Sequence, residues 1–329
     1  MPAATVTLGA TSIACGRIGL GCATFGREIS EAESFRIMDY AVERGITLFD
    51  TAEAYGGGQA RAYRRSHLGV DDEREVSGEL HSSEKIIGRW LRSRGARGEI
   101  TLLTKVTTNF TIEHVREAIS ASLERLQTDY VDLYLYHQFD PATSAATEAA
   151  EAVEAVVSAG LARFAGASNY PGAQLAAALA VSREKALTQF AVIESNYNLV
   201  IRDIERDVLP LARRESLGVI TYSPLGAGFL TGKYSASQQV FPQGTRFDVI
   251  PGHADVYFSE RNFRLVERLH ALARETGRPA AQLAMSFVFD NPSIDAVLVG
   301  ARQCGHLDNA LNALAQPAAP EHIAAMRAW

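Results

Sequence analysis

Residues 100–137 read ITLLTKVTTNFTIEHVREAISASLERLQTDYVDLYLYH. Two apolar runs, 100–105 and 130–137, lack the strict in/out alternation of a half-exposed sheet, which predicts parallel strands covered on both faces. Between them Thr111 reads as the N-cap of a helical pattern that runs to Gln127. A charged or titratable residue stands at the end of each run, Lys105 and His137.

The same unit recurs outward from this stretch. Further strands are predicted at IGLGC (18–22), ITLFD (46–50), ARFAGAS (162–168), LTQFAVIE (187–194), GVITYS (218–223) and AVLVG (296–300). Helical patterns separate them at 30–45, 82–95, 145–160, after Pro171, at 203–218, from about Ser259 and after Gly300. The first opens with a Ser30/Glu33 capping box and stops at Gly45. Eight strands alternating with helices predict an α/β fold, a (β/α)8 TIM barrel. A doubly wound open sheet is the weaker alternative, because eight units suit closure and no G-x-G-x-x-G follows the first strand. ATVTLGATSIAC (4–15) predicts an N-terminal β-hairpin turning at Gly9, Ala10 and Thr11 and plugging one barrel end. With no linker in view, residues 1–329 read as one domain. Two long loops, 56–81 and 225–258, follow strand ends and would rise over the C-terminal face, where barrel enzymes build their sites.

Composition narrows the function classes. A net charge of -6 and a pI near 5.8 argue against nucleic acid and acidic membrane surfaces as partners. Cys15, Cys22 and Cys304 form no CxxC pair, so neither a disulfide framework nor a zinc knuckle is indicated, and a cytoplasmic location is expected. No stretch reaches the ~18 apolar residues of a membrane span.

In a barrel, Asp50, Lys105 and His137 end consecutive strands, and Tyr55 stands just beyond Asp50 in LFDTAEAYG (48–56). Four polar groups then converge on one mouth. A phenol is a weak acid at neutral pH, and a nearby ammonium stabilises its phenolate. Asp50 can keep Lys105 charged away from water, and His137 can orient a substrate oxygen toward Tyr55. Such a set builds a proton donor for a developing alkoxide without a nucleophile or metal.

LFDTAEAYG, ITLLTK and the histidine of LYLYHQFDP resemble the Asp, Tyr, Lys and His motifs of the aldo-keto reductases. GLGCATFG, SSEKIIG, GASNY and YSPLGAGFLTGKY extend the resemblance over nearly the whole chain. TFGREIS and SPLGAGFLTGKY most resemble the branch containing bacterial reductases and the β subunits of voltage-gated potassium channels. The resemblance implies an oxidoreductase (EC 1.1.1.-) that reduces an aldehyde or ketone, such as a sugar or other polar carbonyl compound. The implied hydride donor is NADPH, with NADH as the alternative, bound without a Rossmann unit. By matching position it implies Asp50, Tyr55, Lys105 and His137 as a catalytic tetrad. Ser168, Asn169 and Gln189 would hold the carboxamide, and Tyr222 would stack on the nicotinamide. Ser223, Pro224, Leu225 and Gly226 would line the pyrophosphate, with Lys233 and Arg246 on the phosphates. Gly21, Cys22, Gly300, Arg302, His306 and Asn309 complete the cofactor contacts, and Phe25, Tyr55 and His137 the substrate contacts, with Phe110 in the same wall.

Two departures stand out. In VGARQCGHLDNAL, His306 replaces the family's Gln/Arg and Ala310 its Asn, with Asn309 one step early; Arg302 is suited to a 2′-phosphate. Residues 56–81 are an insertion whose Arg61, Arg64 and Arg65 either select an anionic substrate or pair with the acidic run at 71–75; the second is expected, in a mobile lid. Against the reductase stand a cofactor-binding regulatory subunit of the channel-β type and a barrel metal hydrolase. Channel β subunits commonly carry Asn where His137 stands, and the strand ends lack a metal-ligand cluster. The expected partner is a small carbonyl compound, and the chain could form an oligomer.

Overall fold

The computed structural model describes residues 5–142, 146–236 and 240–329. The expectations at Ala4, Ala145 and 237–239 fall outside these residues.

The chain builds a closed barrel of eight parallel strands. They are β3 (Ile18–Gly21), β4 (Leu48–Asp50), β5 (Thr101–Val106), β6 (Val131–Tyr136), β7 (Ala162–Ser168), β8 (Val192–Asn196), β9 (Gly218–Tyr222) and β10 (Ala296–Gly300). They pair in chain order, and β10 closes the ring against β3. Side chains on a strand alternate between faces. The inward set, Leu48, Leu103, Leu133, Leu135, Val192, Ile220, Ala296 and Leu298, fills the barrel as one buried cluster. The outward set packs against the surrounding helices in a larger, second cluster.

The predicted hairpin is present as β1 (Thr5–Thr7) paired antiparallel with β2 (Ala14–Gly16). Leu8, Ile13 and Cys15 are buried in the same cluster as the barrel-interior leucines, so the hairpin seals the N-terminal end. Gly9 sits with φ +52° so close to β9 that an added Cβ would lie 2.2 Å from the Gly218 nitrogen. Only glycine fits there.

The helices surrounding the barrel are α1 (Glu31–Glu43), α3 (Ser82–Arg94), α4 (Ile112–Leu126), α5 (Ala146–Ser158), α6 (Gly172–Glu184), α7 (Val208–Glu215), α10 (Glu260–Thr276), α11 (Ala280–Phe289), α12 (Cys304–Ala315) and α13 (Pro320–Arg327). The capping box of Ser30 and Glu33 forms at the start of α1, and Thr111 caps α4. Helix α11 escaped the sequence reading because AAQLAMSFVF has no polar face: seven of its residues are buried, so the run carries no amphipathic period. No helix among the described residues is long and apolar enough to cross a membrane.

The 56–81 insertion is folded rather than a loose lid. It forms α2 (Gly57–Tyr63), a π-helical turn at Arg64–Leu68, and an extended return. Its arginines do pair with the acidic run: Arg61 with Asp71 and Glu73, Arg65 with Asp71, and Arg64 with Asp72 and Glu75. Arg64 is fully buried and also donates to the Val249 carbonyl at 2.9 Å. Arg74 donates to the Asp248 carbonyl at 2.8 Å. Val249 and Ile250, on and beyond α8 (Arg246–Val249), pack against Ala60 and Tyr63. The insertion is thereby clasped to the second long loop, whose other helix is α9 (Ala254–Tyr257). Arg64→Met would leave the buried Glu75 carboxylate without its partner. We expect a loss of about 3 kcal/mol in urea unfolding; an unchanged midpoint would show that Arg64 adds no net stability.

Candidate active site

One step beyond the apolar interior layer, each strand presents its next inward residue at the C-terminal mouth. The layer changes from Leu48, Leu103, Leu135, Val192, Ile220 and Leu298 to Asp50, Lys105, His137, Glu194, Tyr222 and Gly300. The period of two turns all of these residues inward in a ring around the mouth, while the register staggers them along the barrel, pairing Asp50 with Leu103, Lys105 with Leu135 and Glu194 with Ile220. The strands are apolar where the barrel is filled and polar where it opens.

Lys105 is fully buried, and its Nζ donates to Asp50 Oδ1 and, at 3.1 Å, to the Thr51 carbonyl. The same nitrogen lies 3.5 Å from Glu194 Oε2 and 5.1 Å from the centre of the Tyr55 ring. The Tyr55 hydroxyl is 3.4 Å from His137 Nε2, with the two rings edge to face at 5.3 Å. Residues from three adjacent strands and one loop therefore meet within hydrogen-bond reach, as the motifs predict.

The loop carrying Tyr55 is held by the start of α3. Ser83 N–H donates to the Tyr55 carbonyl at 3.3 Å, and the Ser83 hydroxyl lies 2.8 Å from that of Thr51. Glu84 is buried and accepts from Thr104 and from Arg125, each at 2.6 Å. Glu53 accepts from the Thr107 N–H at 2.7 Å. The Ser-Glu pair opening α3 thus stitches the loop to β4 and β5 and fixes where the phenol points.

Burial and charge set the protonation states. Burial works against the Lys105 charge, but Asp50, Glu194 and Tyr55 outweigh it, and the ammonium is held above its ordinary range. Burial pushes the Tyr55 phenol up; Lys105 opposes this, while Asp50 and Glu194 add to it. The net shift is upward, the reverse of the lowering expected from the lysine alone, because two carboxylates and burial were missing from that expectation. Tyr55 accordingly stays protonated at neutral pH. Burial and the neighbouring Lys105 push His137 down to about 3, which leaves a neutral imidazole. Its Nδ1 is buried without a hydrogen-bond partner.

Beside the ring lies a set of groups suited to an elongated anionic ligand. Asn169, with φ +57°, donates to the His137 carbonyl at 2.9 Å and to Ser168 Oγ at 3.0 Å. The Tyr222 hydroxyl donates to Asn169 Oδ1 at 2.7 Å. Ser223, Pro224, Leu225 and Gly226 follow β9 in a turn where Ser223, Gly226 and Ala227 take positive φ. Further along, Arg302 bonds the Gly244 carbonyl at 2.5 Å, and its N–H donates to His306 at 3.2 Å. Arg246 donates to His253 at 3.1 Å and lies 3.7 Å from Glu28, which also pairs with Arg27. Arg302 lies close enough to depress Lys233 and His306 further, though burial is the larger cause for both. Arg27 keeps one buried guanidinium nitrogen without a partner. Several cations around one carboxylate leave a positive surplus, and an orphaned buried donor is a vacancy for an acceptor. These residues fit the phosphates of a nicotinamide cofactor. Gly300, at the end of β10, leaves the rim open, since an added Cβ there would meet nothing within 4 Å, whereas one at Gly21, at the end of β3, would touch the Gly300 backbone at 3.6 Å.

Four expectations need correction. Gln189 is exposed and precedes the start of β8 at Val192, so it stands at the wrong end of its strand for the mouth. The predicted strand 187–194 began too early, since its first half is the connection from α6, and Glu194 holds the mouth position. Cys22 and Phe25 are fully buried in the outer core, so neither side chain lines the mouth. Phe110 is likewise buried, stacked on Tyr136 at 4.2 Å. Asn309 lies half-buried on α12 near His306. Glu194 is the residue that the sequence reading passed over. Its signal was a carboxylate ending an apolar run, the same signal that singled out Asp50.

The aldo/keto reductase family matches residues 17–329. An uncharacterized oxidoreductase of Bacillus subtilis, YrpG, is 32% identical over 322 residues, covering 93% of this chain and 90% of that protein. The aldo-keto reductase YhdN of the same organism is 31% identical, covering 91% and 85%. A probable voltage-gated potassium channel subunit beta of rice (Oryza sativa subsp. japonica) is 28% identical, covering 93% and 90%. With its closed barrel and polar mouth, this chain belongs to the aldo/keto reductase family, whose members are in general oxidoreductases that use nicotinamide cofactors and small carbonyl substrates.

Proposed function

We propose that this chain reduces an aldehyde or ketone to the alcohol, with Tyr55 as proton donor and NADPH as the cofactor. The observation that carries the reading is the buried Lys105 placed between Asp50 and the Tyr55 ring, with a neutral His137 against the phenol. A bound nicotinamide supplies the hydride that the carbonyl carbon accepts. Tyr55 then gives its proton to the developing alkoxide, and the Lys105 ammonium stabilises the phenolate left behind. Asp50 keeps that ammonium charged, and His137 Nε2 holds the carbonyl oxygen toward the phenol. No residue needs to form a covalent bond.

Arg302 supports NADPH over NADH: it is the proposed partner of the 2′-phosphate, while Lys233 and Arg246 would meet phosphate oxygens beside a His306 imidazole that burial and Arg302 hold toward its neutral form. Arg302→Ala should weaken NADPH binding about tenfold while leaving NADH nearly unchanged, the value of one charge-assisted hydrogen bond. Equal losses for both cofactors in fluorescence titration would remove Arg302 from this role. Because Arg61, Arg64 and Arg65 are satisfied by their own acidic run, they supply no free charge for an anionic substrate, which favours a neutral polar carbonyl compound. The test of the reading is loss of reduced-nicotinamide absorbance with a panel of aldehydes, ketones and sugars. Tight NADPH binding without turnover would favour a regulatory subunit, and no cofactor binding would sink both.

A further inference from the structure

Lys105 faces two carboxylates, and the tetrad uses one. Asp50 accepts a hydrogen bond from the ammonium, whereas Glu194 lies at 3.5 Å and its Oε2 has no hydrogen-bond partner although the residue is 2% exposed. A buried carboxylate oxygen left without a donor is costly when ionised. The ionisable groups facing Glu194 are Asp50 from β4, Lys105 from β5, Tyr55 from the loop after β4 and Tyr222 from β9. β7, its register partner, brings only Ser168. Tyr222 gives its hydroxyl proton to Asn169, so it does not serve Glu194.

We infer that Glu194 is a positioning residue that sets the acidity of Tyr55 through Lys105: protonated, it leaves the ammonium to the phenol; ionised, it draws that ammonium to itself and adds a negative charge where the phenolate must form. The inference rests on Tyr55 being the proton donor. Two carboxylates on one buried ammonium cannot both ionise without leaving a net negative charge in the barrel. The proton of the pair resides on Glu194, because Asp50 holds the direct bond. Burial and Asp50 push Glu194 up to about 8. His137 lies far below this and Lys105 far above, so among the mouth groups only this carboxyl pair changes charge near that pH. Reduction therefore requires protonated Glu194 and falls as pH rises through its ionisation.

The test uses the whole chain and two variants, Glu194→Gln, which cannot ionise, and Glu194→Asp, which can. The Tyr55 phenol is followed by carbon-13 NMR of tyrosine labelled at Cζ, assigned by loss of its signal in Tyr55→Phe. Glu194→Gln should lower the Tyr55 midpoint by about one pH unit, the usual size of a nearby like charge, and Glu194→Asp should leave it near the wild-type value. In parallel, the alkaline fall of kcat/KM near pH 8 should vanish in Glu194→Gln and persist in Glu194→Asp. A purely structural role would scale the rate at every pH without moving that limb. An unmoved Tyr55 midpoint in Glu194→Gln overturns the proposal. A moved midpoint in a chain that reduces no carbonyl compound upholds the coupling and removes the reductase reading instead.

Discussion

Tyr55→Phe is expected to lower kcat for carbonyl reduction by about 10³-fold, within the range for a lost general acid, while NADPH affinity stays unchanged. The ring would remain edge to face with His137 and beside Lys105, so only the hydroxyl is lost. That hydroxyl makes one long bond at 3.4 Å, and its removal should change stability by about 1 kcal/mol or less. Rate and stability are thereby separated. Stopped-flow turnover beside a fluorescence titration of NADPH measures both, and undiminished turnover would take Tyr55 out of the chemistry.

Lys105→Met should be as damaging to the rate and far more damaging to the fold. Methionine approximates the length of the stem but supplies no charge. Asp50 and Glu194 would then face each other in the barrel with no counter-ion, a loss of about 3–5 kcal/mol by analogy with other broken buried pairs. Its pH dependence has a definite sign. A buried carboxyl with a raised pKa keeps a proton that the unfolded chain gives up, so stability falls as pH rises above the ordinary carboxylate value. In the wild type that window for Glu194 runs from 4.5 to about 8. In the variant Asp50, which Lys105 keeps ionised in the wild type, would hold its proton as well, so the deficit measured in urea should widen between pH 5 and pH 8 through Asp50, and above pH 8 through Glu194. A deficit that is flat with pH would mean that the carboxylates are not what the lysine compensates.

The barrel and the meeting of Asp50, Tyr55, Lys105 and His137 at its mouth were legible because both depend on short-range pattern. A strand covered on both faces reads as an unbroken apolar run, and a lysine or aspartate ending that run declares itself. Orientation beyond the last strand residue is another matter. Whether Cys22 or Phe25 points into the mouth depends on how the chain turns after Gly21, which no letter encodes, and both turned into the outer core. Gln189 misled because LTQFAVIE is apolar almost throughout, while the ladder opens only where Val192 meets Gly166. Arg64 reads as one of three surface arginines, and its burial requires the Val249 carbonyl, far along the sequence. The Tyr55 phenol shifted opposite to the simple expectation chiefly because burial raises it, with Asp50 and then Glu194 adding to that.

The hairpin under the barrel has a kinetic corollary. With Leu8, Ile13 and Cys15 stoppering the floor, the N-terminal end of the barrel is closed and the phenol faces the C-terminal opening. In the proposed reaction, the proton that refills Tyr55 and the departing alcohol would then use the same opening, so restoring the acid and discharging the product would become one traffic problem rather than two.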